Sequence, residues 1–600
     1  WFLFAAALAI GAERLARRGG VLRSLSAAET LGSTTVVMTD KTGTLTEARM
    51  ELRDVVPTEW SARTSGSSAE MTLRERLAPE QMEVLSLAAL SADALVENPE
   101  DPPMAWRIRG SALEAAVVRA AAAYGVPPLR LGGGVAAAYE TALPFSSAHK
   151  FSVSRGLVEF EGADGKKVRR QSMVALGAPD ALIARSTLSD GARSALLGAV
   201  AAASAGGRRL VGVAVLPARG RAARGRLTPE AARGLRFVGF LAFADPLRKE
   251  APEAVARIES HGVRVVMVTG DLAGTALSVA RELGWSVAED EVATGEDLRR
   301  LSENELTALL GKIKVYARVT PQDKLRIARL FQRHGEVVAM TGDGVNDAPS
   351  LRAVDIGIAV GSGTDVAKEV SDLVLLDDNF NTIVSAIEEG RRVLQNVRKT
   401  FVYLLSTSLD EVLLIGGSLL FGFPLPLTAL QIIWVNFFTE SLPSIAYAFD
   451  RDASLARRTR SAQRRVLNGT VQWLTLGVGI FSSLLHFALY AGVLQLSVPL
   501  ETARTFMFAC VAADILFISF SLRSLEKPLF SYNLFSNRLL TLGVALGLGL
   551  LGATLYVPLL QGVFKTVPLG PLWLLGLLGW VVLNVAMVEA AKWFFYRTRK

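Results

Sequence analysis

The feature that most limits what this chain can become lies after residue 400. Six apolar stretches occur there, at roughly 400–421, 425–449, 471–495, 503–522, 538–558 and 570–590. Each is long enough to cross the hydrocarbon of a bilayer, and together they read as six transmembrane helices. Charge in the connecting loops orients them. Arg451, Arg457, Arg458, Arg460, Arg464 and Arg465 crowd the loop after the second stretch. Arg523 and Lys527 follow the fourth, Arg597, Arg599 and Lys600 follow the sixth, and the alternate loops carry almost no charge. Positive residues stay on the cytoplasmic side, so residues 30–395 and the C-terminus are expected in the cytoplasm of a protein integral to the plasma (inner) membrane. The net charge of +8 is then mainly a topology signal, and no nucleic-acid partner is expected.

Residues 30–395 read as soluble α/β protein. The apolar run 34–39 ends in Asp40-Lys41-Thr42-Gly43-Thr44-Leu45-Thr46. A carboxylate so placed can act as a nucleophile and form an aspartyl phosphate. About three hundred residues on, the run 337–340 ends in Thr341-Gly342-Asp343-Gly344-Val345-Asn346-Asp347-Ala348-Pro349. Asp343 and Asp347 suit Mg²⁺, which binds carboxylate and phosphate oxygens together. No G-x-x-x-x-G-K-[ST] loop is present. The pattern points to phosphoryl transfer onto Asp40.

These motifs resemble those of the P-type ATPases, the ion-pump branch of the haloacid-dehalogenase-like phosphotransferases. Asp245-Pro246-Leu247-Arg248 is similar to that family's D-P-P-R, with Leu for the second Pro. Thr269-Gly270-Asp271 follows the run 263–268, and Lys324 closes Ala317-Arg318-Val319-Thr320-Pro321-Gln322-Asp323-Lys324. The resemblance covers essentially the whole chain. It implies an α/β fold plus an all-α membrane bundle: a haloacid-dehalogenase-like parallel sheet, an inserted α+β nucleotide-binding domain and the six helices. The implied division is 1–28, the end of a transmembrane helix and a cytoplasmic stalk; 29–49 and 239–385, the phosphorylation domain; 50–238, the insertion; and 386–600, stalk and membrane domain. The sheet is expected to use Val238–Phe243, Val263–Val268, Lys314–Ala317, Val337–Met340 and Ile356–Val360. The family's first three spans and its actuator domain with a T-G-E-S loop have no counterpart in the sequence. The expectation is therefore a fragment or incomplete product, with that N-terminal portion as a partner.

By the same resemblance, Asp40 accepts the phosphoryl group, Lys324 neutralises its charge, and Thr269 and Gly270 hold its oxygens. Thr42 lends a carbonyl to Mg²⁺ beside Asp40, Asp343 and Asp347. Soluble phosphatases of the superfamily carry a second Asp where this chain has Thr42, so attack of water on the phosphoenzyme should be slow. For the nucleotide, Phe145-Ser146-Ser147-Ala148-His149-Lys150 resembles F-S-x-x-x-K, with Phe145 stacking on adenine. Leu176-Gly177-Ala178-Pro179-Asp180 resembles K-G-A-P-E with Leu for Lys, and Gly110 to Glu114 resembles G-D-P-T-E. Lys150, Gly177, Glu114, Arg209, Arg248, Gly270 and Asp271 complete the expected nucleotide set. ATP and Mg²⁺ are the implied cofactors.

Ionisable residues within spans are costly and usually functional. The first span holds Asp410 and Glu411, the second Asn436, Thr439 and Glu440, and the fourth Asp514. Asn436, Thr439 and Glu440 share one helix face, as do Ser408 and Glu411; Asp410 points about 100° away. Leu430–Pro443 resembles the sixth span of type II pumps, the calcium and sodium/potassium branch. Glu440 stands where that branch carries Asp, Ser408 where calcium pumps carry Asn, and Asp514 near an acidic position of the eighth span. Oxygen-only ligands favour a hard cation, with Ca²⁺ the first choice, and no C-P-C occurs for soft metals. Cys510 is alone, so there is no disulfide framework, and the four histidines show no ligand spacing. The expected function is ATP-driven cation translocation, with membrane lipid, ATP and the cation as partners. The alternative is a membrane-bound phosphatase of the superfamily or a pump remnant that does not transport.

Overall fold

The structure is a computed structural model that describes residues 2–61, 77–126, 130–131, 134–135, 140–146, 148–161, 167–217, 227–450 and 469–597. The arginine-rich loop read from Arg451 to Arg465 lies outside the described residues, as do Arg599 and Lys600. The chain divides into two compact units.

One unit comprises Trp1–Met38, Glu253–Val265 and Ile327–Lys600. Its strands run in the order Gly20–Leu22, Leu373–Leu375, Ile356–Val360, Val338–Gly342, Val36–Thr39. All pairs are parallel except the first. Val338 pairs with Val36 and Met340 with Met38, so these two strands point the same way in register. Their residues are buried throughout, which is why both read as unbroken apolar runs. From Leu375 the chain enters one helix of 41 residues, Phe380–Leu420. Leu25–Ser33 packs across it where two glycines meet: a Cβ on Gly32 would lie 2.4 Å from the Gly390 carbonyl carbon. No other residue type tolerates that approach.

Among the described residues, five helices are long and apolar enough to cross a membrane: Phe380–Leu420, Val471–Gln495, Leu500–Ser521, Arg538–Tyr556 and Pro571–Phe594. The remaining expected stretch, 425–449, is broken into Ala429–Trp434, a π-helical Val435–Glu440 and Ser441–Ala448. Pro443 explains part of the break. It has no N–H to give the carbonyl four residues back, and that carbonyl, of Thr439, accepts from the Tyr403 hydroxyl at 3.0 Å.

The other unit comprises Thr39–Pro252 and Val266–Arg326. Arg264–Val268 continues into it and pairs in parallel with Val315–Ala317, which pairs with Val292–Thr294. Its larger sheet is antiparallel, ordered Glu51–Pro57, Arg236–Ala244, Arg209–Pro217, Lys167–Gly177, Phe151–Glu161, Glu140–Leu143. The placement of Val238–Phe243 in the parallel sheet is thus corrected: it lies antiparallel between Glu51–Pro57 and Arg209–Pro217. The reason is packing on both faces. Val238, Leu241 and Phe243 join one core with Val84, Leu85 and Ala88 of helix Pro79–Ser91. Phe237 and Phe240 join the opposite core with Leu182, Ile183 and Leu196. A strand covered on both sides loses its polar alternation and mimics a parallel one.

Candidate functional site

In the second unit Asp40 follows its strand directly and opens a tight loop, Lys41–Leu45. Gly43 takes φ +75°, a conformation that favours glycine. One carboxylate oxygen of Asp40 accepts from the Lys41 backbone N–H at 2.7 Å. The other accepts from Lys324 Nζ at 2.5 Å. Lys324 rides the first turn of helix Pro321–Arg333. That turn is fastened by Asp323, whose Oδ2 accepts from Thr320 N and Oγ1 and from Arg299. The carboxylate is therefore held in one orientation with a cation on one oxygen. Thr269 is buried and its hydroxyl accepts from Asp271 N at 3.2 Å, while Gly270 is exposed at the loop tip. Lys41, which sequence reasoning passed over, pairs with Asp271 at 2.6 Å. Its position next to the nucleophile was the available signal. Thr42 is exposed, so its backbone borders open space.

The segment Asp245–Arg248 braces this loop. Asp245 accepts from the Thr46 hydroxyl at 2.5 Å and from Arg49 N at 3.0 Å. Arg248 N–H reaches the Leu45 carbonyl at 2.9 Å and its guanidinium the Gly43 carbonyl at 3.1 Å. Arg248, expected at the nucleotide, thus grips the backbone of the nucleophile loop.

The nucleotide candidates gather at one end of the antiparallel sheet. Gly177 pairs with Phe151 across one ladder, and Arg209 opens the next strand. Phe145 and Lys150 lie in the connection into Phe151. That same sheet end leads from Ala244 into the Asp245 brace. Phe145 is 64% exposed, unusual for an aromatic of its size and suited to stacking on a flat ligand. Gly177 is required by close packing: a Cβ there would meet the Lys150 carbonyl at 2.4 Å. Arg209 is exposed. Glu114 caps helix Ala112–Ala123: its carboxylate accepts from Ser111 N and Asp93 N.

In the first unit Asp343 follows the strand Val338–Gly342, and its carbonyl accepts from Thr364 N at 2.8 Å. Asp347 is buried, with Gly342 leaving room for it: a Cβ on Gly342 would sit 3.0 Å from the Asp347 carboxyl carbon. Both are hard oxygen donors of the kind Mg²⁺ takes.

The membrane helices of that unit hold a second carboxylate group. Glu411 and Glu440 are both buried. Asn436 Nδ2 donates to Glu411 Oε2 at 3.2 Å, and the Thr407 hydroxyl donates to the Tyr403 carbonyl at 3.0 Å. Glu411 Oε1 and Glu440 Oε1 are buried with no hydrogen-bond partner. Buried polar atoms are almost always satisfied, so two orphan carboxylate oxygens mark a place for a ligand. The Thr439 hydroxyl donates to Val435 O at 2.7 Å, and its carbonyl accepts from the Tyr403 hydroxyl. Ser408 is exposed, and Thr407 takes the inward place. Both lie within one turn of Glu411, so spacing alone could not choose. Asp410 does face elsewhere, at 3.0 Å from His486 Nδ1. Asp514 lies on that side too, hydrogen-bonded by Asn584. His486 was missed because its partners come from distant helices. No cluster of three or more His, Cys, Asp or Glu arranged for a metal is found among the described residues.

Three regions match family models: residues 34–355 and 325–387 match haloacid dehalogenase-like hydrolases, and 424–594 match the C-terminus of cation transporting ATPases. Among similar proteins are a calcium-transporting ATPase of Bacillus subtilis and a probable cation-transporting ATPase F of Mycobacterium tuberculosis. The first is 32% identical over 94% of this chain and 64% of its own length. The second is 35% identical over 94% of this chain and 63% of its own. Calcium-transporting ATPase 1 of Yarrowia lipolytica is 31% identical over 99% and 64%. The chain thus spans a little under two thirds of the length of these relatives.

Proposed function

The chain belongs to the haloacid dehalogenase-like hydrolases and, among them, to the P-type ATPases, and on that footing we propose that Asp40 accepts the γ-phosphoryl group of ATP to drive a cation across the membrane. The observation that carries this is the Asp40 carboxylate, oriented by Lys41 N and charge-paired with Lys324. An Asp40 oxygen attacks the γ-phosphorus, the bond to the β–γ bridging oxygen breaks, and ADP leaves with that electron pair. Lys324 is placed to pass from the carboxylate to the incoming phosphoryl oxygens, where it offsets growing negative charge. Thr269 and Gly270 line the same loop end. Asp40 with the Thr42 carbonyl in one unit, and Asp343 and Asp347 in the other, are hard oxygen donors that would suit Mg²⁺; when bound it would neutralise phosphate charge. Phe145, Lys150, Gly177 and Arg209 bind the nucleotide at the sheet end adjoining the Asp245 brace.

The cation is held by Glu411, Asn436 and Glu440, with Thr439 the residue next to Glu440. The paired carboxylates favour a divalent hard ion, and Ca²⁺ is the choice supported by the names of the similar proteins. The broken stretch 425–449 would make a sixth crossing, with Val435, Thr439 and Glu440 of its π turn buried against protein. The α/β part and the C-terminus then face the cytoplasm at the plasma membrane. The test is phosphorylation by labelled ATP and Mg²⁺ at graded Ca²⁺. An acid-stable, hydroxylamine-labile label that rises with Ca²⁺ is expected. A label indifferent to Ca²⁺ but driven by Na⁺ or K⁺ overturns the ion.

A further inference from the structure

In the membrane unit, a single buried carboxylate ties three helical segments together. Asp450 follows the helix Ser441–Ala448, and its side chain is 1% exposed. The Arg523 guanidinium, just past Leu500–Ser521, grips it two-pronged: Nε to Oδ2 and Nη2 to Oδ1, each 3.1 Å. Lys399 of Phe380–Leu420 adds Nζ to Oδ2 at 3.2 Å. Asn396, from the same helix, donates to the Asp450 carbonyl at 3.2 Å, so backbone and side chain are both pinned. The remaining Arg523 donor Nη1 holds the Asn533 carbonyl at 2.8 Å. Burial alone would raise the Asp450 pKa, but Lys399 and Arg523 outweigh it and keep the group below the ordinary carboxylate range.

These are the same three segments that carry Glu411, Glu440 and Asp514. Lys399 lies ~18 Å along its unbroken helix from Glu411, Asp450 ~15 Å from Glu440, and Arg523 ~14 Å from Asp514, at ~1.5 Å per residue. We propose that the Lys399–Asp450–Arg523 cluster is a positioning lock that fixes the spacing of the membrane carboxylates and so sets cation affinity. The inference rests on the reading of Glu411 and Glu440 as the cation site. Stability alone is a poor reason for such a cluster, because an apolar trio of like size would stabilise as well or better. What the ion cluster adds is direction: a fork fits a carboxylate in one geometry, and that geometry fixes the register of all three helices.

The lock is tested in the full chain reconstituted in phospholipid vesicles, reading the Ca²⁺ and the ATP needed for half-maximal phosphorylation. Lys399→Met is expected to raise the Ca²⁺ requirement about tenfold while leaving the ATP requirement within twofold, and Lys399→Arg to recover most of the loss. Unchanged Ca²⁺ dependence in Lys399→Met, or a Lys399→Arg as impaired as Lys399→Met, overturns the lock. Should Lys399→Met fail to fold, Arg523→Lys keeps the charge but loses the fork; a severalfold rise supports the lock and no change overturns it. Glu411→Gln is measured alongside. If it shifts the Ca²⁺ requirement and the lock variants do not, only the lock falls. If Glu411→Gln leaves it unmoved, the cation site falls, and the lock with it.

Discussion

The two carboxylate sites differ in what the protein supplies to them. Asp40 has both oxygens engaged, one by a backbone N–H and one by a lysine. Glu411 and Glu440 each keep one buried oxygen with no partner. A nucleophile must be held still until substrate arrives, so its charge is balanced within the protein. A site for a passing ion must be left short, because a fully satisfied carboxylate gives a cation nothing to replace. On the proposed reading, satisfied burial goes with the residue that reacts and unsatisfied burial with those that receive.

The sharpest break of this comparison is at Asp40. Asp40→Asn keeps shape and burial but removes the attacking charge, and labelled ATP should leave no hydroxylamine-labile phosphate above background. A label that survives moves the nucleophile elsewhere. Next comes the unsatisfied pair. Glu440→Gln should raise the Ca²⁺ needed for phosphorylation by tens of times, about 2 kcal/mol, and leave thermal stability level or higher, since a buried charge is removed. A marked loss of stability with unchanged Ca²⁺ dependence would make Glu440 structural.

Asp54 in the soluble unit sharpens the rule from outside either site. It is buried, accepts from Val55 N at 2.8 Å, and has Arg208 only at 3.5 Å. Burial outweighs both and raises its pKa to about 6 from 3.8. A folded pKa above the unfolded one means that stability is greatest when both states are protonated. It falls as pH rises from about 4 to 6 and stays lower above that. Asp54→Asn should therefore gain about 1.5 kcal/mol at pH 7.5, allowing for solvent screening, and the gain should shrink as pH approaches 4. Thermal melts across that range check it; a loss at pH 7.5 would show Arg208 to be the stronger influence.

Phe145→Ala should weaken ATP binding roughly tenfold through lost stacking, without changing the melting temperature of a side chain so exposed. Unchanged affinity with lower stability would return Phe145 to a packing role. The smallest effect is at Glu114. Its Ala variant should cost about 1 kcal/mol of stability through the lost cap and leave ATP affinity level. A tenfold loss of affinity would place it in the nucleotide set.

The strand-end positions of the proposed phosphoryl-site residues were legible because their signals are local. Asp40, Thr269 and Asp343 each follow an apolar run, and strand ends are read from the chain itself. Arg248 was legible as a motif but not as a brace, since its partner, the Gly43 carbonyl, is two hundred residues away. In the membrane, the alphabet of acids was plain and their grouping was not.

The sequence by itself determined the family, the strand that ends at Asp40 and five of the six places where long apolar helices were expected, because each depends on residues within a few positions of one another. Tertiary structure alone decided that Val238–Phe243 joins the antiparallel sheet, that Thr407 is buried while Ser408 is exposed, and that Asp410 faces His486 while Glu411 faces Asn436. The physical reason is the same in each case. An apolar run fixes that a segment is buried, and helical spacing fixes which residues share a face. What covers that face is chosen by segments distant in the chain, whose side chains must fill the space and satisfy the polar atoms together.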